Sequence, residues 1–383
     1  MRLRKQARRV WLTLHQGIGL GLGLLFVLLG LTGSLLVFYL EMQSLFDPAR
    51  PACHAQVESA SPAPDVVLAR LQALYPERDG PWRIEMPRDL GGPLRARYYN
   101  PPERAGRLFA PFLVTFDPTS LQVRRSGFWG DDPLTWIYNL HYSLLLERSG
   151  RMVVGGVGLF MVFSLVSGAS LWWPSRARMA SSLMPRLRPG RVRRTYDLHV
   201  LGGLYSWVLL AVLGMAGAAL AFPDVVRGLL ASESPMHAST AAAAPGNPPP
   251  SVSLAEAVRV ARSHFPNAQV RWIHSSGVGG ELISIRLHQA GEPSHRFPHT
   301  QVWLRPDDAT VVAIKDANRA SPGDTVLAWL HPLHNGEALG LPGRLLVCAA
   351  GLVPALLFAT GWVRWRQKSR SRGLSRPLSL IHI

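Results

Sequence analysis

Long runs of apolar residues alternate along this chain with segments of mixed character, and the length of each run limits what it can be. Uncharged stretches cover residues 17–40, 152–173, 200–222 and 345–363, about 19 to 24 residues each. A helix needs about 20 such residues to cross a hydrocarbon layer of roughly 30 Å. The pattern therefore predicts four membrane-spanning helices. The first run follows a basic start, as a signal peptide would, but its apolar core exceeds the roughly 7–15 residues of such a peptide.

Between the runs the period changes. Residues 66–75 read as a short amphipathic helix closed by Pro76, followed by strand-like pieces at 82–86, 94–99, 112–116 and 121–124, with Asp117-Pro118 as a turn. Residues 254–265 repeat the helix, closed by Pro266. Strand-like pieces at 270–274, 281–287, 301–304 and 310–315 follow, with Pro306-Asp307-Asp308 as the matching turn. The Ala-, Ser- and Pro-rich stretch 231–250 reads as a flexible linker.

This recurrence is a tandem duplication. At one constant offset Leu14-His15 matches Leu198-His199, Gly19 matches Gly203, Gly30 matches Gly214, Gly33 matches Gly217 and Phe38 matches Phe222. At a slightly larger offset Trp136-x4-His141-x8-Gly150-Arg151 matches Trp329-x4-His334-x8-Gly343-Arg344, with Leu140 and Leu333 ahead of the histidines. The expected fold is an α-helical membrane bundle of four spans, with two small α+β domains of roughly 85–95 residues on one side. The boundaries run 1–40 for the N-terminus and first span, 41–135 for the first outer domain, and 136–173 for a His-bearing segment and second span. They continue with 174–196 for a basic loop, 197–222 for the third span, 223–325 for linker and second outer domain, 326–363 for a second His-bearing segment and fourth span, and 364–383 for the tail.

Charge gives the bundle a direction. The net +17, from 41 Lys and Arg against 24 Asp and Glu, admits nucleic acid or a membrane surface as partner. Segments 1–10, 174–196 and 364–383 hold eighteen basic residues and no acidic one, which leaves 23 basic against 24 acidic elsewhere. The surplus is thus a topology signal with a lipid bilayer as partner, and nucleic acid is excluded. Both termini and the middle loop are expected in the cytoplasm, with the two long connections across the membrane. The two cysteines, Cys53 and Cys348, are poorly placed to pair, and neither begins Cys-x-x-Cys-His, so covalent c-type haem attachment is excluded.

Two copies of one helix pair with the same topology imply a pseudo-twofold axis along the membrane normal. Under it His15 faces His199 on the cytoplasmic side and His141 faces His334 on the outer side. Paired imidazoles at two depths of a bundle are the arrangement that holds two non-covalent b-type haems, each iron taking two axial nitrogens. Zinc would ask for three or four ligands per site, and a proton relay would ask for further charged groups inside the helices. His331, three residues before His334, is an alternative ligand or a hydrogen-bonding neighbour; its positional counterpart is Tyr138. The series Gly17, Gly19, Gly21, Gly23 lacks the spacing of a nucleotide loop and reads as small-residue helix packing. The cytoplasmic segments are too short for a flavin or nicotinamide domain, so electrons are expected from a separate donor, membrane quinol or a cytoplasmic reductase. His288, His295 and His299 with Arg286 and Arg296 read as a solvated hairpin, or else as a contact surface for an anionic or metal-chelating substrate. Trp82, Tyr98, Tyr99 and Trp129 read as core or interface residues.

Several segments together resemble the PepSY-associated transmembrane helix family. They are Trp11-x3-His15 entering a Gly-rich helix, Leu140-His141 to Gly150-Arg151 with Leu171-Trp172-Trp173-Pro174 beyond, Asp197-Leu198-His199, and Leu333-His334 to Gly343-Arg344. The resemblance implies a bacterial inner-membrane protein with PepSY-like periplasmic domains and a link to iron uptake. Length and layout are similar to those of the ferrioxamine reductases of the family, b-haem proteins that reduce Fe(III) held by a siderophore, of hydroxamate type in that case. It implies an enzyme, a ferric-siderophore reductase: electrons would enter near His15 and His199, pass to His141 and His334, and release Fe(II) in the periplasm. The alternative is a non-catalytic siderophore or haem permease accessory, or a PepSY-type membrane regulator. Transport would call for polar or broken helices at a midplane site, against which the uncharged helix interiors argue.

Overall fold

The computed structural model describes residues 2–46, 62–87, 92–184, 190–230, 252–277 and 280–374. Cys53, the 231–250 stretch, and Arg186, Arg188 and Arg376 of the basic segments lie outside the described residues.

Helices α1 (Arg2–Gly21), α2 (Gly23–Leu36) and α3 (Tyr39–Phe46) come first. The first half continues with α4 (Pro64–Leu74), β1 (Trp82–Glu85), β2 (Leu94–Tyr98), β3 (Phe112–Phe116), β4 (Val123–Phe128), α5 (Pro133–Ser143) and α6 (Glu147–Trp172). After α7 (Met179–Leu183) the second half runs α8 (Arg191–Ala221), α9 (Pro223–Leu229), α10 (Leu254–His264), β5 (Gln269–His274), β6 (Ile283–His288), β7 (Thr300–Leu304), β8 (Val311–Lys315), α11 (Pro322–Asn335) and α12 (Gly340–Leu374). Among the described residues three helices, α6, α8 and α12, are long and apolar enough to span a membrane, and the bent pair α1–α2 makes a fourth if it counts as one span. The first apolar run is therefore not the single continuous helix expected over 17–40. It turns by 56° between Gly21 and Gly23 and ends at Leu36. Glycines on both sides of Leu22 weaken helix propensity at the turn.

The bundle closes at two repeat-matched crossings. A Cβ on Gly30 of α2 would strike the Gly351 carbonyl of α12, and one on Gly158 of α6 would lie 2.8 Å from the Gly214 carbonyl of α8. Small residues let the backbones approach where lipid offers no hydrophobic drive to pack. Gly150 and Gly343, the glycines of the two Gly-Arg motifs, are also positions of contact. Each lies against the turn before its helix, Gly150 on the Ser143 carbonyl and Gly343 on that of Gly336.

The two outer segments do not stand as separate domains. Their strands join in one eight-stranded sheet of order β4-β3-β2-β1-β5-β6-β7-β8, through an antiparallel β1–β5 pair centred on Ile84 and Ile273. Each half alone would leave the β1 or β5 edge with unpaired backbone groups, and joining removes both edges. The duplication axis passes through this pair. Alternation along the strands puts Ile84, Ala96, Val114, Ile273, Ile285 and Val302 on one face, almost fully buried beneath α4 and α10. The first half also supports the helix of the second: the Asp65 carboxylate of α4 accepts from the backbone N–H of Leu254 (2.6 Å) and Ala255 (2.9 Å) at the start of α10. The fourth strand begins later than the expected 121–124, because Leu121 adopts a left-handed φ of 51° within the turn.

The crossings give a direct comparison. Gly30→Ala should lower the melting temperature of the detergent-solubilised protein, at a cost of about 1–3 kcal/mol for overpacking. Gly17→Ala, whose Cβ would meet nothing within 4 Å, should leave it unchanged or raise it by the helix-propensity difference of up to about 1 kcal/mol. Equal effects of the two substitutions would contradict the close crossing.

Candidate functional site

The four histidines that match by repeat come together as two pairs. His15 on α1 and His199 on α8 have ring centroids 6.2 Å apart, and His141 on α5 and His334 on α11 have centroids 6.1 Å apart. His331 does not face His141; it stacks on Phe297 at 4.5 Å.

Each ring is fixed by the neighbouring helix of its own half in nearly the same way. His15 Nδ1 donates to the Ser164 carbonyl (3.1 Å) and to Ser167 Oγ (3.0 Å) on α6. His141 Nδ1 lies 3.0 Å from Thr32 Oγ1 on α2, and His199 Nδ1 lies 3.0 Å from Thr360 Oγ1 on α12. His334 Nδ1 donates to the Leu213 carbonyl of α8 at 3.1 Å. The hydroxyls of Thr32, Ser167 and Thr360 give their own protons to backbone carbonyls one turn back, at 2.7–2.8 Å, so they accept from the imidazoles. A glycine follows each of these three hydroxyl residues, Gly217 holds the matching place on α8, and each ring rests on its glycine. A Cβ would lie 3.0 Å from His15 at Gly168, 3.0 Å from His141 at Gly33, 2.9 Å from His334 at Gly217 and 3.5 Å from His199 at Gly361. With the ring proton held on Nδ1, the neutral imidazole keeps its lone pair on Nε2, the form in which histidine binds a metal.

This geometry suits a metal between the rings. An imidazole nitrogen sits about 2.0–2.1 Å from a first-row metal and about 1.1 Å from its own ring centre, so two imidazoles on one ion have centroids about 6.3 Å apart. Both observed spacings agree with that figure. Around His15 and His199 lies a cavity of about 440 Å³, within the range of cofactor sites. Its wall is mainly apolar or glycine, with Phe26, Trp172, Trp207 and Phe358 among it, and Arg8, Arg364 and Lys368 supply positive charge. A flat macrocycle with two carboxylate arms fits such a lining. Among the described residues no three His, Cys, Asp or Glu side chains gather as a metal site, so the donors come only in twos.

The glycine series at the start of the bundle is not mainly a helix-packing stripe. A methyl group added at Gly17, Gly19 or Gly21 would meet nothing within 4 Å, whereas one at Gly23 would strike the Phe358 ring; Gly19 and Gly23 both line the cavity.

The second face of the sheet is polar and turned toward the bundle. It carries Arg83 and Glu85 of β1, Arg97 of β2, Trp272 and His274 of β5 and Arg286 of β6. Arg97 lies 5.5 Å over Trp129, which stacks on Tyr39 at 6.1 Å, and Trp272 meets Phe297 at 6.3 Å. The group around His288, His295 and Arg286 is only in part the expected solvated hairpin: His295 is exposed, but His288, whose ring lies 4.3 Å from it, is only 9% exposed and Arg286 is partly buried. Trp82 and Tyr98 belong to the sheet core and Trp129 to a cluster between sheet and bundle; Tyr99 stacks on His274.

Paired imidazoles at two levels of an apolar bundle, with the sheet beyond them, define a membrane protein whose two repeats meet at matched histidines. The chain belongs to the PepSY-associated TM region family, whose model matches residues 12–368. No curated protein matches it.

The sequence marked Gly33 and Gly217 as repeat positions but did not single out the anchors Thr32, Ser167 and Thr360. The signal was present as a Ser/Thr-Gly dipeptide in three of the four apolar runs, with Ala216-Gly217 in the fourth.

One ion network on the polar face can be titrated. Burial alone would raise the Glu85 carboxyl, but the guanidiniums of Arg97, at 2.6 Å, and Arg83 outweigh it and bring it from 4.5 to about 2. A depressed acid stabilises the fold fully above pH 4.5 and loses that contribution as pH falls toward 2. Glu85→Gln should therefore destabilise the protein by about 2–3 kcal/mol at pH 7, and the difference from wild type should shrink below pH 4.5. Thermal melts at pH 7 and pH 3 check this; equal melting at pH 7 would mean that solvent screens the network.

Proposed function

We propose that this protein is a di-haem membrane reductase that passes electrons to Fe(III) held in a siderophore, of hydroxamate type, and releases Fe(II). The observation that carries the reading is the imidazole cradle, built four times and arranged as two pairs whose spacing suits one iron each. His15 with His199, and His141 with His334, would hold the two b-type haems. Bound haem supplies one-electron chemistry at a potential that axial ligands, hydrogen bonds and burial adjust.

The rest of the work falls to the chain's own side chains. Nδ1 anchors on Ser164, Ser167, Thr360, Thr32 and Leu213 fix the ring orientations and make the imidazoles stronger donors. Apolar walls and close-packed glycines keep water from the metal positions, and Arg8, Arg364 and Lys368 are placed to pair with carboxylate arms. In this reading the basic end lies in the cytoplasm of a bacterial inner membrane and meets the donor, quinol or a cytoplasmic reductase. The sheet lies in the periplasm, and its polar face receives the chelate. Each Fe(III) takes one electron, and the larger, less charged Fe(II) leaves because hard oxygen donors hold it less tightly.

Purified protein should show a reduced b-type spectrum. His15→Ala or His199→Ala should each cut haem content by about half, and His141→Ala or His334→Ala should remove the remaining share instead. Unchanged haem in these variants would reject the ligand assignment. Mixing reduced protein with ferric hydroxamate chelates tests the reaction separately: haem that stays reduced with every chelate would leave the cofactors in place and overturn the activity.

A further inference from the structure

The duplication axis that relates the two halves also shows where they differ. Because Ile84 pairs with Ile273, the axis maps Arg83 onto Trp272, Glu85 onto His274, and Arg97, paired to Arg83, onto Arg286, paired to Trp272. In the first half Glu85 binds Arg97 at 2.6 Å. In the second half the matching arginine has lost its acid, since a histidine stands where the glutamate would be.

Arg286 keeps one hydrogen bond, from Nε to Gln301 Oε1 at 2.9 Å, and its guanidinium lies 5.1 Å from the Trp272 ring. Among the described residues no carboxylate lies within 4.0 Å of it. Glu292, whose charge it feels, is taken up by the N–H groups of Gln289 and His299 and by the Thr300 hydroxyl. His274 Nε2 is buried without a hydrogen-bond partner among the described residues, and its ring lies parallel to Tyr99 at 6.4 Å. Arg83, itself paired with Glu85, lies on the other side, 4.0 Å over Trp272 and 5.5 Å over Tyr99.

We propose that Arg286 and His274 form a carboxylate-binding site on the bundle-facing side of the sheet. The first half shows the shape of the occupant, because Glu85 already fills the equivalent place with a carboxylate. A guanidinium fork between flat aromatic walls suits that planar, bidentate group better than a tetrahedral one. The electrostatics agree. Burial, then Arg83, lowers Arg286 to about 10; burial, then Arg83 and Arg286, lowers His274 to about 3. At neutral pH His274 is uncharged and able to donate one N–H, beside a surplus of buried positive charge. The site stands beside the axis on which His141 and His334 also meet, and Phe297 links Trp272 to His331 of α11.

Two sources can supply the carboxylate: an organic iron chelate arriving from solution, or an arm of a haem at His141 and His334. The second rests on the haem reading and the first does not. The test uses the full-length protein in detergent and gallium(III) citrate, a redox-inert probe whose binding needs no electron transfer, with inorganic phosphate as comparator. If the chelate is the source, wild type binds gallium citrate in calorimetric titration, phosphate binds much less, and Arg286→Gln weakens citrate binding by roughly tenfold or more. His274→Glu restores the acid of the first half, so it should abolish binding while keeping or raising the melting temperature. If haem is the source, wild type takes up no gallium citrate, and both variants shift the midpoint potential of the haem that depends on His141 while sparing the one that depends on His15. Variants that change neither reading, or phosphate bound as tightly as citrate, overturn the proposal. Protein that binds gallium citrate but holds no haem would keep this site and reject the reductase reading.

Discussion

An imidazole surrounded by apolar helices needs partners for its polar nitrogens, because hydrocarbon offers none. That constraint organises the bundle. Each of the four rings engages Nδ1 with a backbone or hydroxyl oxygen of the neighbouring helix and rests against a glycine of that helix. To bring a ring so close, the helices must touch at small residues, which the Gly30–Gly351 and Gly158–Gly214 crossings achieve. The anchors join histidine and acceptor within one half, whereas the pairs join one half to the other. Both requirements are met only when the two repeats are assembled, so the duplication is a condition of the site and not just its history.

The paired histidines were legible because they sit at matched positions in a repeat, and a repeat survives as exact spacing in sequence. The spans and most strands were legible for the same local reason, as runs and alternations. The single sheet was not. Joining β1 to β5 is a contact between residues far apart in the chain, and neither Trp82–Glu85 nor Gln269–His274 announces which strand will lie beside it. Nor was the bend at Leu22, since glycines in an apolar run read equally as packing or as a break. The Thr-Gly and Ser-Gly anchors were visible but mute: a hydroxyl in a helix usually bonds its own backbone, and only the arriving histidine gives it a second role. His331 and His334 share a helix, and what separates them is Phe297, brought in from the second half of the sheet.

Where the repeats diverge, they do so one layer away from the paired rings. Thr32, Ser167 and Thr360 share a position that Ala216 occupies in the remaining copy, so His334 has a carbonyl alone as its anchor. The imidazoles themselves stay matched across the axis. A ligand on that axis would meet equivalent donors on its two sides, as the proposed function requires. Divergence in the anchors can then distinguish one level from the other without disturbing the direct donors, since a second hydrogen bond to Nδ1 changes the electron density that Nε2 offers.

The polar face of the sheet follows a similar logic with charge. Lys315 and Asp324 form a buried pair at 3.3 Å that ties β8 to the start of α11, each charge answered by the other. Glu85 answers Arg97 and Arg83 in the first half. Among the described residues no acid answers Arg286 in this way, and an unanswered guanidinium under a sheet lowers stability rather than raising it. In the proposed carboxylate site, His274 in place of an acid leaves Arg286 for an incoming anion, at a cost in folding free energy, on the face turned toward the level at which His141 meets His334.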